Sequence, residues 1–206
     1  MHKIGMRVIH VLAIFTITAL AAGCATVGDQ RVDILYQRTV YDGRGAGDLY
    51  LAQEPVVPSM GAVPVQWIIG GITGSDGEKL GNIVTDIAPA DLVAEALTQE
   101  LKGAGYNVIR SNPIPQGAAK GLKLKSVTMN LQEIKSVPKV SATCKVKVVL
   151  EPWLNGAAVN KLEYEAEYDD TAVTNRDELL AKTMRQALHA LMAQSIHEIT
   201  RTLERK

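Results

Sequence analysis

The chain contains 206 residues, with 22 basic and 22 acidic side chains and a formal net charge of zero. This balance excludes the basic footprint that a nucleic-acid-binding protein or a protein attracted to anionic lipid carries. Aromatic residues account for only 4% of the composition, so the core has to be built mainly from aliphatic side chains. The length predicts one domain, large enough to bury such a core.

The amino-terminal stretch has the organisation of a bacterial lipoprotein signal peptide. Two basic residues, Lys3 and Arg7, precede an uncharged apolar run at residues 11–22. That run fits the roughly 7–15 residues of a signal peptide and is shorter than the ~20 that span a bilayer. Small residues precede Cys24, and Ala21 stands where a lipobox usually has leucine. The alternative is an ordinary signal peptide or membrane anchor in which this cysteine is accidental.

The resemblance to a lipobox implies that the thiol of Cys24 receives a diacylglyceryl group and that cleavage removes residues 1–23. An acyl chain such as palmitate then modifies the new amine, and several chains together make a stable anchor. Ala25 occupies the position where an aspartate would retain a lipoprotein at the inner membrane. The sorting pattern therefore implies an outer-membrane protein facing the periplasm. The predicted organisation is a lipidated tether at residues 24–33 and one domain at residues 34–206.

Cysteine usage excludes an intramolecular disulfide once Cys24 is lipidated, because Cys144 then stands alone. Cys144 lies on the apolar face of a predicted strand, where a lone cysteine is most often a small buried hydrophobe. A reactive thiol is the alternative, but no neighbouring histidine in the sequence supports it.

The region between the tether and the first helix is rich in glycine and proline. Residues 34–40 are β-prone and predict a strand, and residues 42–48 predict a flexible glycine-rich loop. Residues 49–60 contain two prolines and predict an extended segment along an edge or surface. Residues 63–69 predict a further strand.

Residues 70–77 superficially resemble a phosphate-binding loop. A Walker A motif counted from Gly71 needs a second glycine followed by lysine, but Asp76 stands at the glycine position. Gly77 is likewise followed by Glu78 rather than lysine. The segment therefore predicts a solvent-exposed turn that does not bind nucleotide.

A helix is predicted at residues 89–102, because Pro89 suits a first turn and Asp91 complements its positive end. A β-prone run at residues 106–109 follows the helix. The strand–helix–strand order predicts a crossover in which this run is parallel to residues 63–69 in one sheet.

Three β-prone runs separated by turn signals predict an antiparallel meander at residues 122–134, 140–150 and 159–168. The alternation of the first run changes phase near Ser126, which indicates a bulge. The Asn-Gly pair that begins at Asn155 favours a tight hairpin turn. Lysines of the second run and glutamates of the third are expected to pair across the ladder on a solvated face.

An apolar stripe at helical spacing predicts a final helix that runs to the C-terminus. Asn175 is its expected N-cap, and Glu178 completes a capping-box pattern. The last turns are expected to extend beyond the sheet, where they could contact another protein. His189 and His197 are eight residues apart rather than the four of a helical zinc pair, so no metal site is predicted.

The order of features along the chain is characteristic. The lipobox ends at Cys24, the sequence Leu-Gly-Asn-Ile at residues 80–83 leads into Asp91, and residues 100–108 end the helix with Gly-Ala-Gly-Tyr before a strand. The meander and the long final helix follow. This order resembles the YajG-like family of uncharacterised bacterial outer-membrane lipoproteins. The resemblance implies the location and the fold, and it implies no site residue beyond the lipidated Cys24.

These patterns predict an α+β fold, in which a mixed, mainly antiparallel sheet of about four to six strands packs two helices on one face. The expected function is that of a lipid-anchored outer-membrane lipoprotein with a binding or accessory role in the envelope and no catalysis. Membrane lipid, through acylated Cys24, and an unidentified envelope protein are the expected partners. No nucleic acid, catalytic residue, cofactor or metal is expected.

Two alternatives to the binding role remain open. A structural subunit of a secretion, pilus or flagellar assembly would use the end of the last helix and the glycine-rich loops as contact surfaces. An envelope-acting enzyme is less favoured, because the sequence contains no familiar catalytic constellation.

Overall fold

Nine strands and two helices follow one another in the computed structural model, which describes residues 28–39, 45–54, 65–174 and 178–205. The strands are β1 (Gln30–Arg31), β2 (Asp48–Gln53), β3 (Trp67–Gly74), β4 (Lys79–Thr85), β5 (Asn107–Arg110), β6 (Lys120–Lys135), β7 (Val140–Leu154), β8 (Ala157–Ala158) and β9 (Leu162–Ala172). The helices are α1 (Pro89–Gly103) and α2 (Leu179–Leu203). The predicted α+β class is confirmed, and the sheet has more strands than the four to six expected.

Strand β6 is the centre of the sheet. One of its edges pairs with β7 along its whole length, in an antiparallel ladder. Its other edge pairs with two parallel strands, with β2 next to Leu122 and with β3 next to Leu131. The order β1-β4-β3-β6-β2-β5 results, with β7, β8 and β9 continuing from the opposite edge of β6. The sheet is therefore mixed, and its longest ladders are antiparallel.

Both helices pack on the sheet and on each other, and they cover the core. Strand β7 shows why, since every second side chain from Val140 to Leu150 is buried and the alternate ones are not. This alternation is that of a strand with one face against a core. Leu180, Leu188 and Leu191 of α2 are among the fully buried side chains of that core. The predicted burial pattern of this strand is confirmed.

The prediction of a strand at residues 34–40 is wrong for the part that the structure describes. The only ladder pairs here are those of β1, and residues 32–39 form no strand. Val32, Ile34 and Tyr36 are nevertheless buried alternately, which produced the β-like sequence pattern. We call residues 32–39 the N-terminal strap, because it is tied by hydrogen bonds to α1 at Glu100 and to α2 at His189.

Strand β2 corrects the expectation of an edge or surface segment at residues 49–60. It lies inside the sheet between β5 and β6, and Leu49 and Leu51 are buried. Residues 55–60, with both prolines, lie outside the described part of the chain. The two prolines therefore say nothing about β2 itself, which ends before them.

The prediction of an exposed turn at residues 70–77 is wrong in its first half. Residues 70–74 belong to β3, and only Ser75 and Asp76 form the turn that leads into β4. Strand β4 was not predicted. Its Ile83 and Val84 are buried, but the preceding glycine and asparagine interrupt the usual pattern of a strand.

The predicted helix at residues 89–102 is confirmed as α1, and the following strand as β5. Strands β3 and β5 do run in the same direction within one sheet, as expected, since each is linked to β6 through parallel pairs. They are not neighbours, because β6 and β2 lie between them. The strand directly before α1 is β4, which is antiparallel to β3.

The meander is confirmed in its main features. The register of β6 against β7 shifts between Leu124 and Ser126, where the bulge was predicted. Asn155 and Gly156 have φ values of 51° and 80°, as a tight hairpin turn of this kind requires. The third strand, β9, begins at Leu162 rather than at residue 159, and it continues to Ala172.

The predicted ion pairs across the ladder are confirmed. Lys145 Nζ lies 2.6 Å from Glu165 Oε1, and Lys147 pairs with Glu163. All four side chains are about half exposed, so these contacts belong to a solvated sheet face. Surface pairs of this kind contribute little each, about 0–1 kcal/mol.

The end of α2 differs from the expectation that its last turns extend beyond the sheet. Ile199 is fully buried and Leu203 is only 1% exposed. Glu204, directly after the helix, accepts a 2.6 Å hydrogen bond from Lys120 at the start of β6. The C-terminal turns therefore complete the core. At the other end, the helix begins at Leu179, and the predicted cap Asn175 lies outside the described residues.

Within the described ranges, no helix is both long enough and apolar enough to cross a bilayer.

Candidate binding cleft

A cleft of about 450 Å³ opens where β2 and β5 end beside the first turns of α1. Its walls come from three elements that are distant in sequence but adjacent in the fold. The lining residues are Leu51, Gln53, Glu54, Asp91, Ala94, Arg110, Ser111 and Asn112. Most of these side chains are polar, and both signs of charge are present.

Parallel pairing explains why these residues meet. Because β2 and β5 run side by side in the same direction, with Leu51 opposite Arg110, both strands end at the same edge of the sheet. The backbone N–H of Ser111 donates a 3.0 Å hydrogen bond to the carbonyl of Leu51, which continues the ladder one residue past β5. Helix α1 places Asp91 in its first turn over this edge. The carboxyl ends of parallel strands are the general location of ligand crevices in open sheets.

Two of the three charged groups in the lining, Arg110 and Glu54, belong to ion pairs, and the third, Asp91, accepts a hydrogen bond from a neutral amide. Arg110 donates to Glu95 at 2.8 Å and, through Nε, to the Thr98 hydroxyl at 3.3 Å. Gln53 donates a 2.7 Å hydrogen bond to Asp91. Each partner is held in place by another wall of the cleft, so the polar groups are fixed before any ligand arrives.

The second ion pair at the cleft joins Glu54 to Lys123 of β6, with 3.3 Å between Glu54 Oε1 and Lys123 Nζ. The cleft is therefore lined by two acidic groups, Glu54 and Asp91, and by the cation Arg110. Lys123 contacts Glu54. No single sign of charge dominates. The cleft therefore has no concentrated electrostatic potential of one sign that would attract a strongly charged ligand.

The Ser111 hydroxyl is a buried polar group of the lining that has no hydrogen-bond partner among the described residues. A buried hydroxyl without a partner costs about 1–3 kcal/mol. Such a group at the wall of a polar cleft can both donate to and accept from a bound molecule.

A second, smaller cavity of about 310 Å³ lies between the end of β9 and the start of α2. Lys182 there is 2.7 Å from Asp170, and the hydrogen bond from Lys182 holds the pKa of that carboxyl below its usual range. Residues 175–177, which lie between the two elements, are outside the described part of the chain. The first cleft is therefore the better defined of the two.

The residues singled out in the sequence are not brought together in a site. Cys24 lies outside the described residues. Cys144 is fully buried in β7, where burial raises the pKa of its thiol to about 12. In the glycine-rich loop, Gly45 donates a 2.8 Å backbone hydrogen bond to Ala104.

The two helical histidines also stay apart. His189 Nε2 lies 2.9 Å from the carbonyl oxygen of Gln37, and its ring meets Tyr36 edge to face. Across the described ranges, no group of three or more potential metal-ligating His, Cys, Asp or Glu side chains occurs. His189 therefore has a structural role, which is to hold the N-terminal strap against α2.

The cleft was not predicted from the sequence. A signal for it existed, because Gln53, Arg110 and Ser111 come at the ends of two β-prone runs and Asp91 opens a helix. Recognising the signal requires knowing that the two strands are parallel neighbours. The sequence assigned the first of them to an edge or surface, so the polar residues seemed unrelated.

No family model matches the chain, and no curated protein matches its sequence. Among solved structures, a DUF330-family protein from Xanthomonas campestris aligns with a TM-score of 0.49 at 10% identity, covering 84% of this chain and 95% of that one. A protein named a neuraminyllactose-binding hemagglutinin homolog from Helicobacter pylori aligns with a TM-score of 0.43 at 14% identity, covering 83% and 98%. Rare lipoprotein B from Shewanella oneidensis aligns with a TM-score of 0.35 at 17% identity, covering 66% and 98%. Each is a similarity of chain path and assigns no residue or activity here.

Proposed function

We propose that this chain is a bacterial lipoprotein, held at the outer membrane by acylated Cys24 and facing the periplasm, whose domain binds a small polar ligand in the cleft. The observation that carries the binding role is the buried Ser111 hydroxyl, which has no partner among the described residues but borders a space lined by fixed polar groups. The proposed lipid anchor rests on the resemblance of the residues around Cys24 to a lipobox.

The way the chain enters the domain supports a protein held close to a membrane. Asp29 accepts hydrogen bonds from the backbone and side-chain nitrogens of Asn82, at 2.9 and 3.0 Å. Strand β1 follows at once, so the domain begins to bind its own N-terminal segment five residues after Cys24. Five residues span at most about 18 Å. The lipid anchor would therefore hold the domain close to the membrane.

The chemistry of the cleft defines the class of ligand. Its charges are of both signs, and each already has an ion-pair or hydrogen-bond partner, so a ligand gains little from a net charge of its own. Hydroxyl or amide groups, in contrast, can bond to Ser111 and to the outer oxygens of Asp91 and Glu54. We infer a small molecule that is neutral overall and rich in hydrogen-bonding groups, such as a sugar or a zwitterion.

The anchor is tested by metabolic labelling with a fatty acid. Cys24→Ser should lose the label and accumulate as uncleaved precursor, whereas Cys144→Ala should keep the label, because Cys144 is buried in β7. Separation of inner from outer membranes by density then tests the location. Labelling of the Cys24→Ser protein would contradict the anchor, and recovery in the inner membrane would contradict the sorting.

The cleft is tested by thermal melting with named probes. N-acetylglucosamine, trehalose and glycine represent the neutral class, and phosphate and citrate represent the charged class. A probe present at 100 times its dissociation constant should stabilise the protein by about 2.7 kcal/mol. Such a gain should raise the Tm by roughly 5–10 °C.

Variants locate the binding. Ser111→Ala should abolish the rise in Tm, whereas the control Thr174→Ala, at the second cavity, should leave it intact. A rise that persists in Ser111→Ala, or one that only the charged probes produce, would contradict the assignment.

The alternative of a structural subunit in an envelope assembly would need a contact surface at the end of α2. One face of these turns is buried, with Leu203 in the core, so only the outer face, which includes Arg201, is exposed. A stoichiometric complex recovered after gentle detergent extraction, and intact in Ser111→Ala, would favour the subunit role over ligand binding.

A further inference from the structure

The end of the sheet at which β6 turns into β7 carries exposed apolar side chains. Val137, in the turn, is 98% exposed, and Ile134, at the end of β6, is 48% exposed. Val173, which follows β9, is also exposed, and the pairing of Val140 with Ala172 places it at the same end. We call Ile134, Val137 and Val173 the apolar tip. Clustered exposed apolar side chains are a feature of interaction surfaces.

Lysines surround the apolar tip. Lys135 and Lys139 flank the β6–β7 turn, and Lys79 begins β4 at the same level, since Thr73 of β3 pairs with both Lys79 and Ile134. The neighbouring β3–β4 turn adds the carboxylates of Asp76 and Glu78. Aliphatic side chains with lysines around them suit a membrane interface, because a lysine can lay its stem on an apolar surface and keep its charge in water.

The direction of β1 points the N-terminal anchor toward this same end. Strand β1 is parallel to β4, with Gln30 beside Ile83, and β4 starts at the level of the apolar tip and runs away from it. The chain before β1 therefore comes from the side of the tip. Asp29 already lies beside Asn82, one residue closer to the start of β4.

The remaining length of chain is too short to reach elsewhere. Gly28 is four residues after Cys24 along the chain, which is a reach of at most about 14 Å. Strand β7, by comparison, is 15 residues long, or about 45 Å from the tip to the opposite end. An acyl anchor at Cys24 can therefore hold the tip end against a bilayer but cannot let the domain stand on its opposite end.

We propose that the apolar tip is the surface on which the domain rests in the headgroup region of the membrane, so that the sheet stands with its β6–β7 turn toward the lipid. This inference rests on the proposed lipidation of Cys24. It adds an orientation that the anchor alone does not define, since a tethered domain can also lie on its helices or stand clear of the lipid.

The test places a fluorophore at each end of β7 in the full acylated protein. Val137→Cys and the matched control Val159→Cys carry an environment-sensitive dye on exposed valines at opposite ends, 98% and 46% exposed. Cys144 is buried and Cys24 is blocked by its lipid, so the dye reacts at the introduced thiol. The proteins are reconstituted into phosphatidylethanolamine–phosphatidylglycerol vesicles that contain a spin-labelled quencher lipid.

We expect the dye at position 137 to shift to the blue and to be quenched at least threefold more strongly than the dye at position 159. Equal quenching at both positions, or none at either, would overturn the orientation. A blue shift at position 137 without quenching would mean that a protein surface covers the tip and would also overturn it. Protein that fails to float with the vesicles would contradict the anchor itself, and this flotation is measured first.

Discussion

The Tyr36 hydroxyl donates a 2.6 Å hydrogen bond to Oε1 of Glu100, and this contact joins the start of the domain to the last turn of α1. The same oxygen accepts from the backbone N–H and the hydroxyl of Thr39, both at 2.8 Å. Glu100 is almost completely buried, so these donors replace the water that its carboxylate would otherwise bind. Burial and the bond to Glu100 both raise the pKa of Tyr36. The N-terminal strap is thus an integral part of the fold.

Removal of the Tyr36 hydroxyl should loosen the strap. Tyr36→Phe keeps the ring beside His189 but deletes one of the donors to a buried carboxylate, at a cost of about 1.5–3 kcal/mol. The control Leu35→Ala alters the neighbouring side chain, which is 82% exposed, and should change stability by about 0.5 kcal/mol or less. Urea denaturation of the soluble domain measures both. Equal midpoints for the two variants would contradict the role of this contact.

Gly70 and Gly71 should respond very differently to alanine. A Cβ at Gly70 would lie 1.6 Å from the carbonyl oxygen of Leu131, in the parallel ladder between β3 and β6, whereas a Cβ at Gly71 would have no atom closer than 3.8 Å. Forcing a side chain into such a space typically costs about 1–3 kcal/mol, and a clash with backbone at this distance belongs at or above the upper end. Gly70→Ala should therefore lower the urea midpoint strongly or prevent soluble expression, while Gly71→Ala should express and unfold like the parent. Parallel behaviour of the two variants would argue against the close pairing of β3 with β6.

The glycine pair also shows where sequence patterns stop predicting this fold. Strands with strict alternation, such as β7, and the helix that begins at Pro89 were predictable, because local residues determine their period and ends. Strand β3 contains Gly70, which is needed for close backbone approach to β6, and the unpredicted β4 contains Gly81, whereas glycine normally indicates a turn. For the N-terminal strap the error was the reverse, since a strand was predicted where none forms. Its alternate side chains are buried against two helices, and this gives the sequence the period of a strand.

The candidate cleft could not be predicted for a related reason. Its polar residues acquire meaning only when β2 and β5 are known to be parallel neighbours, and that pairing depends on contacts between distant parts of the chain. The anchor, in contrast, is a prediction that local sequence alone can make, because a peptidase recognises a signal peptide from its local sequence. Cys24 therefore stays a prediction from sequence, and the Ser111 cleft is a proposal from structure.

Glu133 should make the protein less stable as the pH rises. Its side chain is 4% exposed, and Oε2 has no hydrogen-bond partner among the described residues. Burial raises the pKa of Glu133, and nearby Lys135 only partly opposes this. The folded protein therefore holds this proton more tightly than the unfolded chain does. Stability from the protonated carboxyl is complete below the pKa of the unfolded chain and is lost as the pH rises through the folded pKa.

Glu133→Gln should remove this pH dependence. At pH 4 or below the variant should unfold like the parent, because both side chains are then neutral. At pH 7 it should be more stable by on the order of 1 kcal/mol, since it avoids a buried charge without a partner. Thermal melting of both proteins between pH 4 and pH 7 measures the difference. The exposed control Glu78→Gln should show no gain that grows with pH, and a constant difference for Glu133→Gln would contradict the assignment.

The thiol of Cys144 should not react with thiol reagents until the protein unfolds. It lies in β7, opposite Leu131 on one side and Tyr168 on the other, and its side chain is fully buried. Raising the pKa of the thiol from 9.0 to about 12 reduces the reactive thiolate about a thousandfold at neutral pH, before access is considered. A thiol reagent should therefore label the domain, prepared as residues 25–206, only in urea. Labelling that tracks the unfolded fraction identifies Cys144 as part of the core, because a catalytic or redox-active thiol would react in the folded state.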